Sequence, residues 1–420
     1  MAITGVRRAW ARNWPAIACV QVGVITLAGI ALALWWRPEP HSDWLLYWLT
    51  AGDPTRYERG GLGLWLLAIP KAMGLPPALA ALTLNIPAVV LVSWLAFRVD
   101  RSQWKWRAQL VFAYLLLLVP YLGIVQLDLL AAAFLATGFC LLLDHAFVMP
   151  RGVRIPVAAA AIAVAVSTRP QYALTLWTLL GMGTLLLVLV PKWRTALGAS
   201  ILATVLVASL AGFSLDMGMR LASGEAERIR TSSAVTLYAG LLVSADSRKA
   251  RCGFWTPAAA EAAKQDLGRP LHEAVKDRLQ ARPPAHWASV VACKARDIVL
   301  PRAYALYWLT SAPNVVERLA AASDPARAQR ILKRVSLIEV VLHALLVVVI
   351  LATTAWTALR ERREAPQGLL PAMWILSFWL VHSVFEIQGR YFLGMLLLAP
   401  ILCAMAHPKR GARSAVRPMS

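Results

Sequence analysis

The stretch PAIACVQVGVITLAGIALALWW, residues 15–36, contains no Asp, Glu, Lys or Arg. A helix needs about 20 mostly apolar residues to cross roughly 30 Å of hydrocarbon, so this stretch predicts a membrane-spanning helix. Similar apolar runs follow it along the chain. The predicted spans are residues 15–36, 76–97, 108–124, 127–147, 155–168, 171–190, 196–215, 336–358, 367–385 and 391–406. The sequence therefore predicts an all-α, polytopic integral membrane protein with about ten transmembrane helices and a large external loop domain.

Composition and charge agree with this class of protein. Of the 420 residues, 59% are hydrophobic and only 15% are charged, which excludes a disordered or nucleic-acid-binding protein. The formal net charge is +21 at pH 7, and the short basic loops fall on one side of the predicted bundle. Short loops rich in Lys and Arg stay in the cytoplasm. We therefore expect both termini to be cytoplasmic in a cell inner membrane, in contact with membrane lipid.

The predicted spans divide the chain into three parts. Residues 1–215 form an N-terminal transmembrane module whose first external loop is 37–75. Residues 216–335 form an external loop domain with interfacial helices and more Lys and Arg than Asp and Glu. Residues 336–420 form the C-terminal transmembrane helices and a basic cytoplasmic tail. Long external segments escape the charge rule for short loops, so the basic loop domain is compatible with this topology.

A few ionisable residues lie at the predicted external ends of spans, where charge is expensive and a functional role is the default hypothesis. Asp43 follows the first span, with Tyr47 one helical turn further on. Its carboxylate could act as a general base or cap the next helix. Asp128 begins the fourth span, and the same two interpretations are open for it.

The candidate cations are arginines, which suit bidentate phosphate binding. Arg169 ends the fifth span before a proline, and it could bind phosphate or extend its side chain to the membrane surface. The sequence Glu386-Ile387-Gln388-Gly389-Arg390-Tyr391 lies between the last two spans. Arg390 could hold a phosphate leaving group oriented by Glu386, or the two could form a structural pair.

Cysteine and metal patterns leave two questions open. Cys252 and Cys293 share the long external segment and could form a disulfide in an oxidising compartment or remain free thiols. No His/Cys cluster has metal-ligand spacing, although Asp43 and Asp128 could share a divalent cation.

These motifs resemble the GT-C superfamily of membrane glycosyltransferases. The likeness is strongest to bacterial polyprenyl-phosphate-sugar-dependent enzymes related to protein O-mannosyltransferases and lipid A aminoarabinose transferases. Asp43 matches the family's acid after the first span, and Asp128 its Asp at the start of the fourth. The closing Glu-x-x-x-Arg-Tyr matches residues 386–391. The family's first loop often has paired acids, whereas here Ser42 precedes a single Asp43, so Asp43, Asp53 and Glu58 all stay open as the base.

The resemblance implies an inverting transfer of a sugar from a polyprenyl-phosphate donor to a glycan, lipid or protein hydroxyl, with no nucleic-acid partner. Asp43 would take the acceptor proton, and Asp128 would orient the acceptor or support the base. Arg390, helped by Arg169 or Arg56, would stabilise the departing phosphate, with Tyr391 and Glu386 beside it. No cofactor is certain, and a divalent cation is possible.

Two other functions are compatible with the same pattern. A lipid-linked glycan ligase or polymerase shares external basic loops but uses a diphosphate-linked donor. A transporter or flippase for lipid-linked sugars would show inverted repeats and charges near the bilayer midplane. This chain has no visible repeat, and its charges lie at one face, which favours the transferase.

Overall fold

The structure is a computed structural model that describes residues 2–53, 55, 60–102, 104–143, 147, 149–190, 196–224, 234–243, 252–301, 304–361 and 366–406. Regular structure in these ranges is entirely helical. The first helices are α1 Ala2–Trp36, α2 Ser42–Thr50, α3 Gly61–Ala72, α4 Pro77–Val99, α5 Trp106–Leu117, α6 Asp128–Leu143, α7 Arg151–Thr168, α8 Gln171–Leu189 and α9 Ala196–Ala222. They are followed by α10 Pro257–Gln265, α11 Leu271–Gln280, α12 Pro284–Val299, α13 Ala305–Thr310, α14 Pro313–Ala320, α15 Pro325–Glu361, α16 Leu370–Val384 and α17 Leu393–Met405.

Seven helical segments of the described chain are long and apolar enough to cross a membrane. They are Trp14–Trp36, Pro77–Val99, Arg151–Thr168, Gln171–Leu189, Gly198–Ala222, Pro325–Arg360 and Gln367–Val384. Each coincides with a predicted span. The other three predicted spans, 108–124, 127–147 and 391–406, correspond to the shorter apolar helices α5, α6 and α17. The helical fold is confirmed and a membrane protein fits it, whereas the count of ten spans and the external domain stay predictions.

The shortness of α6 and α17 follows from their place at the centre of the bundle. At 1.5 Å per residue, the 16 residues of α6 extend about 24 Å, less than the hydrocarbon thickness. Nearly every residue of both helices is buried, as expected for helices that are apolar on all faces. Polar side chains at their N-terminal ends are therefore buried as well: Asp128 is 1% exposed and Arg390, just before α17, is 2% exposed.

Small residues let α7 lie close to its neighbours α6 and α9. A Cβ added at Gly138 of α6 would lie 2.5 Å from Ile162 Cγ1, and one at Gly212 of α9 would lie 2.3 Å from the Ala163 carbonyl oxygen. Close backbone approach at small residues is a usual packing mode of membrane helices. This close packing fixes the position of α7 against α6 and α9. Arg169, which ends α7, is therefore held in a defined place.

Segments between α9 and α15 form a small second core and join the main one. Val235, Tyr238 and Ala239 pack against Ala259 and Ala262 of α10. The end of α12 and the helix α13 belong to the main hydrophobic core. Cys252 and Cys293 form a disulfide, which answers the question that the sequence left open. The flanking spans extend into the predicted loop domain, because α9 continues to Ala222 and α15 begins at Pro325.

Candidate functional site

The contact between Asp43 and Arg390 joins two residues that lie far apart in sequence. Asp43 lies in the first turn of α2, and Arg390 lies in the 3₁₀ turn Gly389–Phe392 that precedes α17. Arg390 Nη2 donates to Asp43 Oδ2, and Arg390 Nη1 donates to Gln126 Oε1. The Asp43 side chain is 21% exposed, whereas the Arg390 side chain is 1% exposed. The carboxylate is therefore partly accessible, whereas the guanidinium is buried.

Asp43 is not the N-cap residue of α2. The N-cap residue of α2 is His41, and it makes no side-chain capping hydrogen bond. Asp43 lies inside the helix, where its carboxylate contacts Arg390. Its negative charge also lies near the positive end of the helix dipole, which is a favourable place for an anion.

A second buried ion pair lies at the same end of the bundle. Arg169 Nη2 donates to Asp128 Oδ2, and Arg169 Nη1 donates to the Tyr47 hydroxyl at 2.7 Å. The Tyr121 hydroxyl lies 3.4 Å from the same Asp128 oxygen. Arg169 is 4% exposed, so its side chain does not extend to the membrane surface. A residue before proline avoids helical geometry, and the extended backbone of Arg169 (ψ 88°) ends α7 there.

Aromatic rings enclose the Arg390 guanidinium. Its carbon lies 4.8 Å from the centre of the Trp308 ring and 5.4 Å from that of Tyr391, both within cation–π range. The His41 ring stacks on Trp308 at 5.9 Å. Burial lowers the pKa of the His41 imidazole below its ordinary value of 6.5, so this ring is neutral at pH 7. The charge that a ligand meets here therefore comes from Arg390 and Asp43.

A cavity of about 310 Å³ lies beside these pairs, between α8, α9 and α16. Its lining includes Arg169, which belongs to one of the two ion pairs, and Tyr391, which follows Arg390 of the other pair in sequence. Arg220 and Asp216 of α9 also line it, and they form an ion pair at 2.8 Å. Glu386 lines it from the opposite side. Cavities that bind small molecules usually measure about 300–1,000 Å³, so this one is large enough for a monosaccharide.

Glu386 has a different partner from the one that the sequence suggested. Its Oε1 accepts a hydrogen bond of 2.7 Å from Gln388 Nε2, whereas Arg390 donates to Asp43 and Gln126. The carboxylate of Glu386 is therefore held at the cavity wall, and the acid that contacts Arg390 is Asp43.

Six of the seven residues predicted for the site lie together at one end of the bundle: Asp43, Asp128, Arg169, Glu386, Arg390 and Tyr391. Arg56 lies outside the described residues, as does Glu58. Sequence reasoning missed Gln126, Trp308, Asp216 and Arg220. Only Asp216 and Arg220 had a usable signal, since opposite charges four residues apart at the end of an apolar helix predict an ion pair.

A divalent cation shared by Asp43 and Asp128 stays a prediction. Among the described residues, no group of three or more His, Cys, Asp or Glu side chains is placed to hold a metal ion. Each carboxylate contacts a guanidinium, so a cation between them would have to displace two ion pairs. Magnesium and calcium also need about six oxygen ligands. As they are paired here, these two carboxylates do not fit a resident metal.

Comparison of the chain with protein-family models, with curated proteins and with solved structures gives no match in any of the three.

Proposed function

We propose that the protein transfers a sugar from a polyprenyl-phosphate donor to an acceptor hydroxyl at the outer face of the cytoplasmic membrane. The observation that carries the proposal is the contact between the Asp43 carboxylate and the Arg390 guanidinium beside a cavity of monosaccharide size. A displacement at a sugar carbon needs a proton acceptor for the attacking hydroxyl and a cation for the leaving phosphate. Asp43 and Arg390 supply these two groups, and the neighbouring Arg169 and Tyr391 line the cavity.

The proposed reaction is a displacement with inversion, as the resemblance to the GT-C enzymes implies. The acceptor oxygen bonds to C1 of the sugar while the bond between C1 and the donor phosphate oxygen breaks. Asp43 takes the hydroxyl proton, and the electron pair of the broken bond leaves with the polyprenyl phosphate, which gains one negative charge. Asp43 must be ionised to accept this proton, and its carboxylate lies against the Arg390 guanidinium.

Arg390 would stabilise the charge that develops on the leaving phosphate. Its guanidinium is buried and already oriented by Gln126 and Trp308, so little reorganisation is needed during the reaction. Preorganised charge of this kind is often the largest single contribution to catalysis. Asp128 has a supporting role in the proposal, because it holds Arg169 at the cavity wall.

The lipid part of the donor would lie against a second, apolar cavity. A second cavity of about 170 Å³ lies further along α8, α9 and α16, and its lining is apolar except for Gln367. A phosphate at Arg169 and Arg390 with part of the isoprenoid chain in this second cavity would match each part of the donor with a suitable surface.

The direct test is reconstitution of the purified protein in liposomes with labelled polyprenyl-phosphate sugars and extracts of cell-envelope acceptors. We expect transfer of label to an acceptor, release of polyprenyl phosphate in equal amount, and inversion at C1 by NMR. Unlabelled polyprenyl phosphate should compete with the donor. Transfer only from diphosphate-linked donors would indicate a ligase or polymerase instead, and movement of an intact donor across the bilayer would indicate a flippase.

The placement of the site outside the cytoplasm is supported by the Cys252–Cys293 disulfide, since disulfides persist in oxidising compartments. In a background without the three free cysteines, we expect Ser42→Cys to react with a membrane-impermeant maleimide on whole cells. Gly152→Cys is the control at the other end of the helical bundle. A Cβ added at this position has open space around it, and we expect the cysteine to react only after permeabilisation. The reverse pattern would place the site in the cytoplasm and contradict the proposal.

A further inference from the structure

The seven residues that follow α16, Phe385–Tyr391, carry both Glu386 and Arg390, and we refer to them as the closing turn. The last carbonyl groups of a helix have no partner within the helix and need donors from elsewhere. At the end of α16, one lysine supplies these donors. Lys294 Nζ donates to the carbonyl oxygens of His382 at 2.9 Å, Ser383 at 3.0 Å and Phe385 at 2.8 Å.

Lys294 is unusually well enclosed for a lysine. It is 1% exposed and lies on α12, next to Cys293 of the disulfide. Gly253, beside the other half-cystine, has a φ of +75° and lies against the lysine side chain. A Cβ at Gly253 would lie 2.2 Å from Lys294 Cε, so a glycine is required there for both reasons. The disulfide thus holds the segment that encloses the lysine.

The same external segments bond directly to the backbone of the closing turn. The Glu386 N–H donates to the Thr236 carbonyl at 2.8 Å, and the Ile387 N–H donates to the Gly253 carbonyl at 2.7 Å. Gly240 lies so close that an added Cβ would be 2.2 Å from the Phe385 carbonyl carbon. Three parts of the chain that are separated in sequence therefore contact the start of the closing turn: the segment with Thr236 and Gly240, Gly253, and Lys294.

An ammonium group is suited to this place for two reasons. It has three N–H donors, which match the three carbonyl oxygens. In this form it also carries positive charge at the C-terminal end of a helix, where the helix dipole favours a cation, although burial lowers the pKa of Lys294 to about 7. The contact fixes the direction in which the chain leaves α16. Arg390 follows Phe385 by five residues, so an error in this direction would displace its guanidinium from Asp43.

We propose that Lys294 is a positioning residue that fixes the closing turn so that Arg390 meets Asp43. The role of Lys294 in fixing the turn is independent of the reaction, whereas the effect of Lys294 on catalysis rests on the function proposed above. Lys294 is not expected to contact substrate, because its three N–H groups face backbone carbonyls of α16 and the turn.

Hydrogen–deuterium exchange of the purified protein tests the turn without an activity assay. In Lys294→Met, we expect the amides of residues 385–391 to exchange at least about ten times faster, since local opening then breaks fewer hydrogen bonds. Lys294→Gln keeps two donors and should be intermediate. The control is Lys264→Met, an exposed lysine of α10, which should leave exchange unchanged. Formation of the disulfide in each variant verifies that the external segment has folded.

A double-mutant cycle separates positioning from general destabilisation. If Lys294 acts through Arg390, then adding Lys294→Met to Arg390→Lys should lower the transfer rate of folded protein little further. Independent effects would multiply instead and would contradict the proposal, as would wild-type exchange in Lys294→Met. If exchange changes as expected but wild-type protein transfers no sugar, the function proposed above is wrong and the role of Lys294 in the turn is upheld.

Discussion

Asp43→Asn is expected to lower kcat for sugar transfer by about 100- to 10,000-fold, the usual contribution of a general base. Asparagine has nearly the same shape and can still accept a hydrogen bond from Arg390, but it cannot take the proton of the acceptor hydroxyl. The measurement is kcat and KM for donor and acceptor in liposomes. We expect the KM values to change little, because the variant removes a group whose role is in the transition state.

A comparison of Asp43→Asn with Asp53→Asn tests which of these two acids of the first external loop is the base. The Asp53 carboxylate accepts hydrogen bonds from the Thr55 N–H at 3.0 Å and the Thr55 hydroxyl at 2.6 Å, which closes a local turn. We therefore expect Asp53→Asn to transfer sugar within about threefold of wild type, as substitutions of local turn contacts usually do. A large loss in Asp53→Asn together with near wild-type transfer in Asp43→Asn would show that the base has been assigned wrongly.

Arg390→Ala is expected to lower kcat/KM for the donor by about 100- to 1,000-fold, as loss of one preorganised donor to a developing anion usually does. The substitution removes the cation and leaves the buried Gln126 carbonyl without its donor. Arg390→Lys should keep part of the rate, since it restores the charge but not the two-pronged geometry that reaches Asp43 and Gln126 together. Steady-state kinetics with a monophosphate-linked donor measures both variants.

The matched control for Arg390 is Arg327→Ala. Arg327 is exposed near the start of α15, and its hydrogen bond to Asp324 uses the backbone N–H rather than the guanidinium. Removal of this side chain should leave donor kinetics unchanged. Thermal melting of all three variants separates a loss of folding from a loss of catalysis. Folded Arg390→Ala with a wild-type kcat/KM would refute the proposed phosphate site.

The sequence predicted the helical architecture because membrane-spanning helices have a local signal. Seven predicted spans match seven long apolar helices, since the length and polarity of one segment are sufficient to identify such a helix. The same criterion also predicted spans at α6 and α17, whose helices have 16 and 13 residues. Apolar residues surround both helices because they pack in the centre of the bundle, and a buried helix need not have the length of the bilayer.

The sequence also identified the charged residues at the ends of the spans, but it left their pairing open. Glu386 and Arg390 are four residues apart, and proximity along the chain suggested that they act together. In the structure, the helical turn before α17 directs Arg390 towards Asp43, 347 residues away in sequence, and Glu386 contacts Gln388. The pairing depends on how the buried helices meet, which no local pattern encodes.

Sequence alone therefore determined that the chain forms apolar helices with a few charged residues at their ends, because both features follow from the polarity of short segments. Tertiary structure alone decided which acid meets which arginine, and it placed Lys294 against the end of α16. These choices arise from packing, since a buried charge must find a partner wherever the fold brings one near.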